Sequence, residues 1–63
     1  MVNRVKELRN KMGLTQMEFA KLVDIKHQPR IAEIENGRVL PRFSVMVRIA
    51  KVLKQPVERI FLF

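Results

Sequence analysis

The sequence predicts an all-α fold of five short helices in a single domain covering residues 1–63, and three observations carry that prediction. Apolar residues recur at spacings of three and four, and nothing alternates at period two over a useful length. Gly13, Gly37, Pro41 and Pro56 fall where the apolar spacing breaks, cutting the chain into helical lengths. A chain of 63 residues is too short for a second domain, and at this size nearly every apolar residue is needed for the core.

Val2, Val5, Leu8 and Met12 lie on one face of a first helix, which the spacing runs from Val2 to Met12. Gly13 stands where a left-handed C-terminal cap belongs, and Lys11 favours that end of the helix dipole. Thr15 and Glu18 form a capping box, so a second helix starts near Gln16 and runs to Val23 through Met17, Phe19, Ala20 and Leu22. Ile31 and Ile34 mark a third helix, from about Gln28 to Glu35, stopped by Asn36-Gly37. Pro29 belongs in its first turn, where a missing N–H costs nothing, and proline disfavours helical geometry at Gln28. Barely two turns long, this helix must be held by packing. Phe43, Met46, Val47, Ile49, Ala50 and Leu53 give the fourth helix its apolar face, and Pro56 opens a last helical turn through Val57, Ile60 and Phe61. Met12, Met17 and Met46 read as gap-filling core residues, and Arg48, Lys51, Lys54 and Arg59 as the wet face.

Thirteen Lys and Arg against six Asp and Glu give a net charge of +7, which favours a polyanionic partner. With 48% apolar and 30% charged residues the composition is globular rather than disordered. The absence of cysteine excludes disulfides and thiolate metal sites, and His27, the one histidine, cannot form a zinc site alone. No metal or cofactor is expected. No nucleophile and base pair or phosphate loop is present, so the reading is not enzymatic. No apolar run approaches a membrane span or a signal peptide, and the chain reads as cytoplasmic.

The order "VKELRNKMGLTQMEFAKLV", a short turn, "IAEIENGR" and "PRFSVMVRIAKVL" resembles the helix-turn-helix family of phage repressors and Cro proteins, which includes many bacterial regulators and antitoxins. The likeness covers almost the whole chain and is most specific at "GLTQ", "FAKLV" and "IENG". It implies a repressor-like domain in which helix 2 lies across the DNA backbone and helix 3 enters the major groove. Three features depart from the family: one extra residue between Ala20 and Ile31, Asp24 at a turn position usually held by glycine, and Pro29.

The resemblance makes Gln16 a phosphate donor, in keeping with the unpaired N–H groups at a helix start. It places base readers in the segment 26–30. There Gln28 suits adenine and Arg30 guanine, while Lys26 and His27 are better placed for phosphate or the groove edge. Each of these is alternatively a solvated side chain beside a turn. Glu33 is either a cytosine reader or an intrahelical partner of Arg30, the second being slightly favoured. Asn36, Arg38 and Arg42 flank a loop that the family uses on phosphates. The resemblance also pairs Glu35 with Arg9 as a partly buried structural ion pair.

At the end of the sequence, Phe61, Leu62 and Phe63 are more apolar bulk than one small core absorbs, so at least one should be exposed unless another chain covers it. The resemblance, to a family whose members commonly pair near this end, implies a homodimer interface there, the alternative being the cut edge of a longer fold. The function expected is a DNA-binding transcriptional regulator, a repressor, acting as a homodimer on a palindromic double-stranded operator. The alternative is a protein-interaction module of the same fold, such as an antitoxin, using the apolar tail and helices 4 and 5.

Overall fold

The structure, a computed structural model, describes residues 2–61. Its helices are α1 (Val5–Lys11), α2 (Gln16–Leu22), α3 (Pro29–Glu35), α4 (Phe43–Leu53) and α5 (Val57–Ile60), with one isolated antiparallel bridge between Asn3 and Phe61. The fold is all-helical, as the spacing predicts.

The core draws on every helix: Val5 and Leu8, Phe19 and Ala20, Ile31 and Ile34, Met46, Ile49 and Leu53, and Ile60, joined by Val23 and Phe61. α1 and α3 pack on each other, α4 contacts α1 and α5, and α2 contacts α3. The α2–α3 pair is therefore carried on a platform made by the first and last helices.

Helix 1 starts later than its spacing suggests. The Asn3 Oδ1 accepts from the Val5 N–H at 3.0 Å, which starts the helix at Val5. The preceding residues run alongside the end of α5, where the Arg4 N–H donates to the Ile60 carbonyl at 2.8 Å. Val2, expected on the apolar face, is 70% exposed as a result. Phe43 also departs from expectation: it opens α4 on the solvent side, 71% exposed. Of the three methionines read as core, Met46 is buried while Met12 and Met17 are exposed.

Phe61 is the main correction. It was expected at a dimer face, yet its side chain is fully buried in its own chain. The backbone leaves helical geometry there, at φ −103° and ψ 103°, which turns the ring inward and pairs the residue with Asn3. Leu62 and Phe63, the other members of the expected interface, lie outside the described residues.

Four helices end in the same way. After α1, Gly13 takes φ 72°, the Leu14 N–H reaches back to the Arg9 carbonyl and the Gly13 N–H to the Asn10 carbonyl. After α3, Gly37 takes φ 76° and the Arg38 N–H returns to the Glu33 carbonyl. These are Schellman closures, which satisfy carbonyls that a helix end otherwise leaves without partners. Asp24 after α2 and Lys54 after α4 adopt the same left-handed geometry, at φ 59° and 57°, without being glycine. A side chain there costs about 1 kcal/mol or more.

Lys54 lies at the end of α4, away from α2 and α3. Lys54→Gly is expected to stabilise the fold by about 1 kcal/mol, raising Tm by about 4–8 °C for a domain of this size. Thermal unfolding followed by circular dichroism checks this, and an unchanged or lowered Tm would count against it.

Candidate nucleic-acid interface

The site is built around α2, the turn after it, α3 and the loop to α4. α2 begins with the capping box that its sequence predicts. The Thr15 hydroxyl accepts from the Glu18 N–H at 3.0 Å, and the Glu18 carboxylate accepts from the Thr15 N–H at 2.8 Å. The Thr15 N–H, and next its hydroxyl, hold the Glu18 carboxyl below the usual carboxylate range. A depressed folded-state pKa means that the stability contributed by the Glu18 carboxylate is fully present above the ordinary glutamate pKa of about 4.3 and is lost as pH falls through the lower folded value.

Gln16, in the first turn of α2, is half-buried, and its Nε2 donates to Glu35 Oε1 at 3.1 Å. One amide N–H is thereby spent on the end of α3. An amide nitrogen carries two, so the second remains to serve as a donor. The same Glu35 carboxylate accepts from Arg9 Nε at 2.6 Å and Nη2 at 3.4 Å, while Arg9 Nη1 donates to the Leu14 carbonyl at 2.7 Å. The two side chains are 8% and 3% exposed. The ion pair expected from the resemblance is therefore buried rather than partly so, and Gln16 belongs to it.

α2 ends in a Schellman closure on Asp24, with the Ile25 N–H donating to the Ala20 carbonyl at 2.8 Å and the Asp24 N–H to the Lys21 carbonyl at 3.3 Å. α3 begins at Pro29, after the stretch from Ile25 to Gln28. Pro29 occupies the first helical position, as predicted. Gln28 does not avoid helical geometry: its φ of −52° and ψ of −42° are helical, against the usual preference before proline. Short bonds from Arg30 N–H to the His27 carbonyl (3.0 Å) and from Ile31 N–H to the Gln28 carbonyl (2.9 Å) hold it there.

This geometry divides the predicted readers. Gln28 is half-buried, in a groove of about 450 Å³ shared with Met17, Ala20, Lys21, Asp24, Ile25 and Lys26. Lys26 and His27 are exposed at the turn. Arg30 is also exposed, and its Nε lies 3.7 Å from Glu33 Oε1, the intrahelical pair slightly favoured from the sequence. Arg30 and Arg42 line a second groove of about 300 Å³ floored by Ile25, Ile34 and Val45. Asn36 ends α3, its N–H donating to the Ala32 carbonyl at 2.9 Å, with its side chain exposed like those of Arg38 and Arg42.

Besides the Gln16 and Leu14 contacts of the ionic group, two further long-range contacts were missed from the sequence. Asn3 Nδ2 donates to the Ile34 carbonyl at 2.7 Å, tying the N-terminal segment to the end of α3. An asparagine just ahead of a helix is itself a start signal, so its capping half was readable. Arg48, read as part of the wet face, donates from Nε to the Val23 carbonyl at 2.9 Å. No local pattern announces that bond.

The chain matches the helix-turn-helix family over residues 5–60. It is 36% identical over 63 residues to an uncharacterized HTH-type transcriptional regulator of Archaeoglobus fulgidus, covering 100% of this chain and 87% of that protein. A similar protein of Methanothermobacter thermautotrophicus is 39% identical over 59 residues, covering 92% and 84% of the two chains. The uncharacterized HTH-type transcriptional regulator YgzD of Bacillus subtilis is 33% identical over 61 residues, covering 97% and 91%. This chain belongs to the helix-turn-helix family of DNA-binding transcriptional regulators, and it is not an enzyme.

Replacing Arg9 with methionine strands the Glu35 carboxylate in the core. Arg9→Met is expected to cost about 3–5 kcal/mol, a large part of the stability of a small domain. The double replacement Arg9→Met/Glu35→Met is expected to be less damaging than Arg9→Met alone, because no buried charge is left unpaired. Denaturant unfolding of both variants checks this; a single-variant shift near zero would sink it.

Proposed function

We propose that the protein is a sequence-specific repressor that reads the major groove of double-stranded DNA with α3 and acts as a homodimer on a palindromic operator. The reading is carried by one contrast. The buried ionic group fixes α2 against α3, whereas Lys26, His27, Arg30, Arg38 and Arg42 are all exposed along the segment that starts and follows α3. A fixed helix pair beside exposed basic side chains is what phosphate positioning and base reading require.

In this reading Gln28 and Arg30 contact base edges. Arg38 and Arg42, with Asn36, position the domain on phosphates, and Gln16 offers its remaining N–H to the backbone. Lys26 and His27 contact phosphate or the groove edge. A two-fold pair of chains reads half-sites about 34 Å apart. The rival reading, an interaction module that binds a partner protein through the tail, loses support because Phe61 is consumed by the core, and the homodimer proposed here cannot use that side chain either.

Duplex selected from a random pool, and a scrambled control, supply the test. Binding is expected to weaken with salt along a slope of about −0.9 per phosphate neutralised. Arg42→Gln or Arg38→Gln is expected to reduce that slope by about one and to weaken both duplexes alike. Gln28→Ala or Arg30→Ala is expected to cost about 1–3 kcal/mol on the selected duplex only. No duplex binding at low salt would refute the proposal, and a selected site without two-fold symmetry would refute the homodimer.

A further inference from the structure

The α2–α3 turn carries two irregularities. Asp24 holds a left-handed φ of 59° that glycine would take more easily, and Gln28, just before Pro29, is helical at φ −52° and ψ −42° against the usual preference before proline. A turn strained at both ends has more than one way to place the helix that follows it. The position of Lys26–Arg30 is therefore not determined by α2 alone.

Each carbonyl in the last turn of a helix needs a partner from outside the helix or from a closure motif. At the end of α2 the Schellman closure takes the Ala20 and Lys21 carbonyls. The Val23 carbonyl, on the residue just before Asp24, is taken by Arg48 Nε at 2.9 Å, from the middle of α4. Val23 itself is fully buried, so its backbone is anchored by packing on one side and by the guanidinium on the other. The cation also stands at the negative end of the α2 dipole. Among the described residues, Arg48 alone donates a side-chain hydrogen bond to the backbone of this turn, and it comes from an element outside the α2–α3 pair.

We propose that Arg48 is a positioning residue for DNA recognition: by clamping the Val23 carbonyl it makes α4 set the path of the turn, and so the placement of Gln28 and Arg30 at the bases. The proposal rests on the DNA-reading function given above. Arg48 touches no base in this scheme; it acts through the turn.

The clamp and the DNA reading are tested separately. Without DNA, Arg48→Met is expected to speed hydrogen exchange of the Asp24 and Ile25 amides by about tenfold relative to the core amides of Ile34 and Ile49, as expected for a local opening. With DNA, Arg48→Met is expected to weaken the selected duplex by about tenfold and the scrambled one by no more than about twofold. Arg48→Lys, which keeps a cationic donor, is expected to recover most of the lost discrimination.

Equal loss on both duplexes with a salt slope smaller by about one would show a plain phosphate contact and overturn the proposal. Uniformly faster exchange across the core would show a general stabilising role and overturn it too. Where Arg48→Met folds poorly, Asp24→Gly supplies a background in which the left-handed residue is unstrained. Selective acceleration of the Ile25 amide by Arg48→Met must persist there, and its absence overturns the clamp. Accelerated exchange in a protein that binds no duplex at all would leave the clamp standing and remove the DNA reading.

Discussion

The arrangement of the first three helices depends on one carboxylate. Glu35 accepts from Arg9 on α1 and from Gln16 on α2, and sits itself at the last turn of α3. Arg9 extends the group to the Leu14 carbonyl, at the start of the connection into α2. Both charges are buried, and among the described residues no buried side-chain nitrogen or oxygen lacks a partner. A buried ion pair is weak evidence of net stability, since apolar residues of similar volume often do as well. What it does supply is geometry. A guanidinium fork and a carboxylate accept few relative orientations, whereas an apolar contact accepts many. Three helices of seven residues each, too short to persist alone, are thereby given one mutual arrangement rather than a family of them.

α3 is tied at both ends by elements outside itself. At its C-terminal end it meets Glu35's partners, the Asn3 amide on the Ile34 carbonyl, and the closure at Gly37. Asn3 belongs to the segment that pairs with the end of α5 through Arg4 and Phe61, so both ends of the described chain converge behind α3. At its N-terminal end α3 meets the turn that Arg48 holds from α4. The side of α3 left to solvent thus rests on contacts contributed by α1, α2, α4 and the N-terminal segment together. In a chain this small the core and the scaffold of the site are the same residues, because Ile31 and Ile34 serve both.

What could be read from the sequence was what local pattern encodes. Helical spacing, the Thr15 and Glu18 box, Pro29 in a first turn and glycine stops at 13 and 37 all act within a few residues, and each appears as expected. The Arg9–Glu35 pair came through resemblance, since 26 residues separate its partners and neither side chain alone signals burial. Failures have the opposite cause. Val2 has helical spacing but lies ahead of Asn3, whose side chain accepts from the Val5 N–H where the helix starts, so the pattern overran the helix. Phe43 and Met17 are apolar yet lie on the outer side, because binary pattern does not say which part of a broad apolar arc the core uses. Phe61 looked surplus when counted along a continuing helix; the chain instead turns extended and delivers it to the core. Arg48 and Val23 are 25 residues apart, and a bond from a side chain to a distant backbone carbonyl leaves no trace in composition or periodicity.

The distribution of charge separates folding from binding. Arg9 and Glu35 are shielded from counterions by burial, while the cations from Lys26 to Arg42 stand in solvent, where the Debye length is about 8 Å at 0.15 M salt. Salt therefore acts on the exposed set and hardly on the group that fixes the helices, so affinity for a polyanion can be tuned over a wide range without altering the arrangement being presented. The exposed basic residues as a whole, Lys6, Lys11, Lys21, Arg48, Lys51, Lys54 and Arg59 included, carry the self-repulsion that a net charge of +7 imposes on a small body. A bound polyanion removes that repulsion, and by mass action any ligand that binds only the folded chain shifts the folding equilibrium toward it. The excess of basic residues thus works in opposite directions in the two states: it opposes compactness in the free protein and favours it in the complex, which couples folding to the presence of the partner.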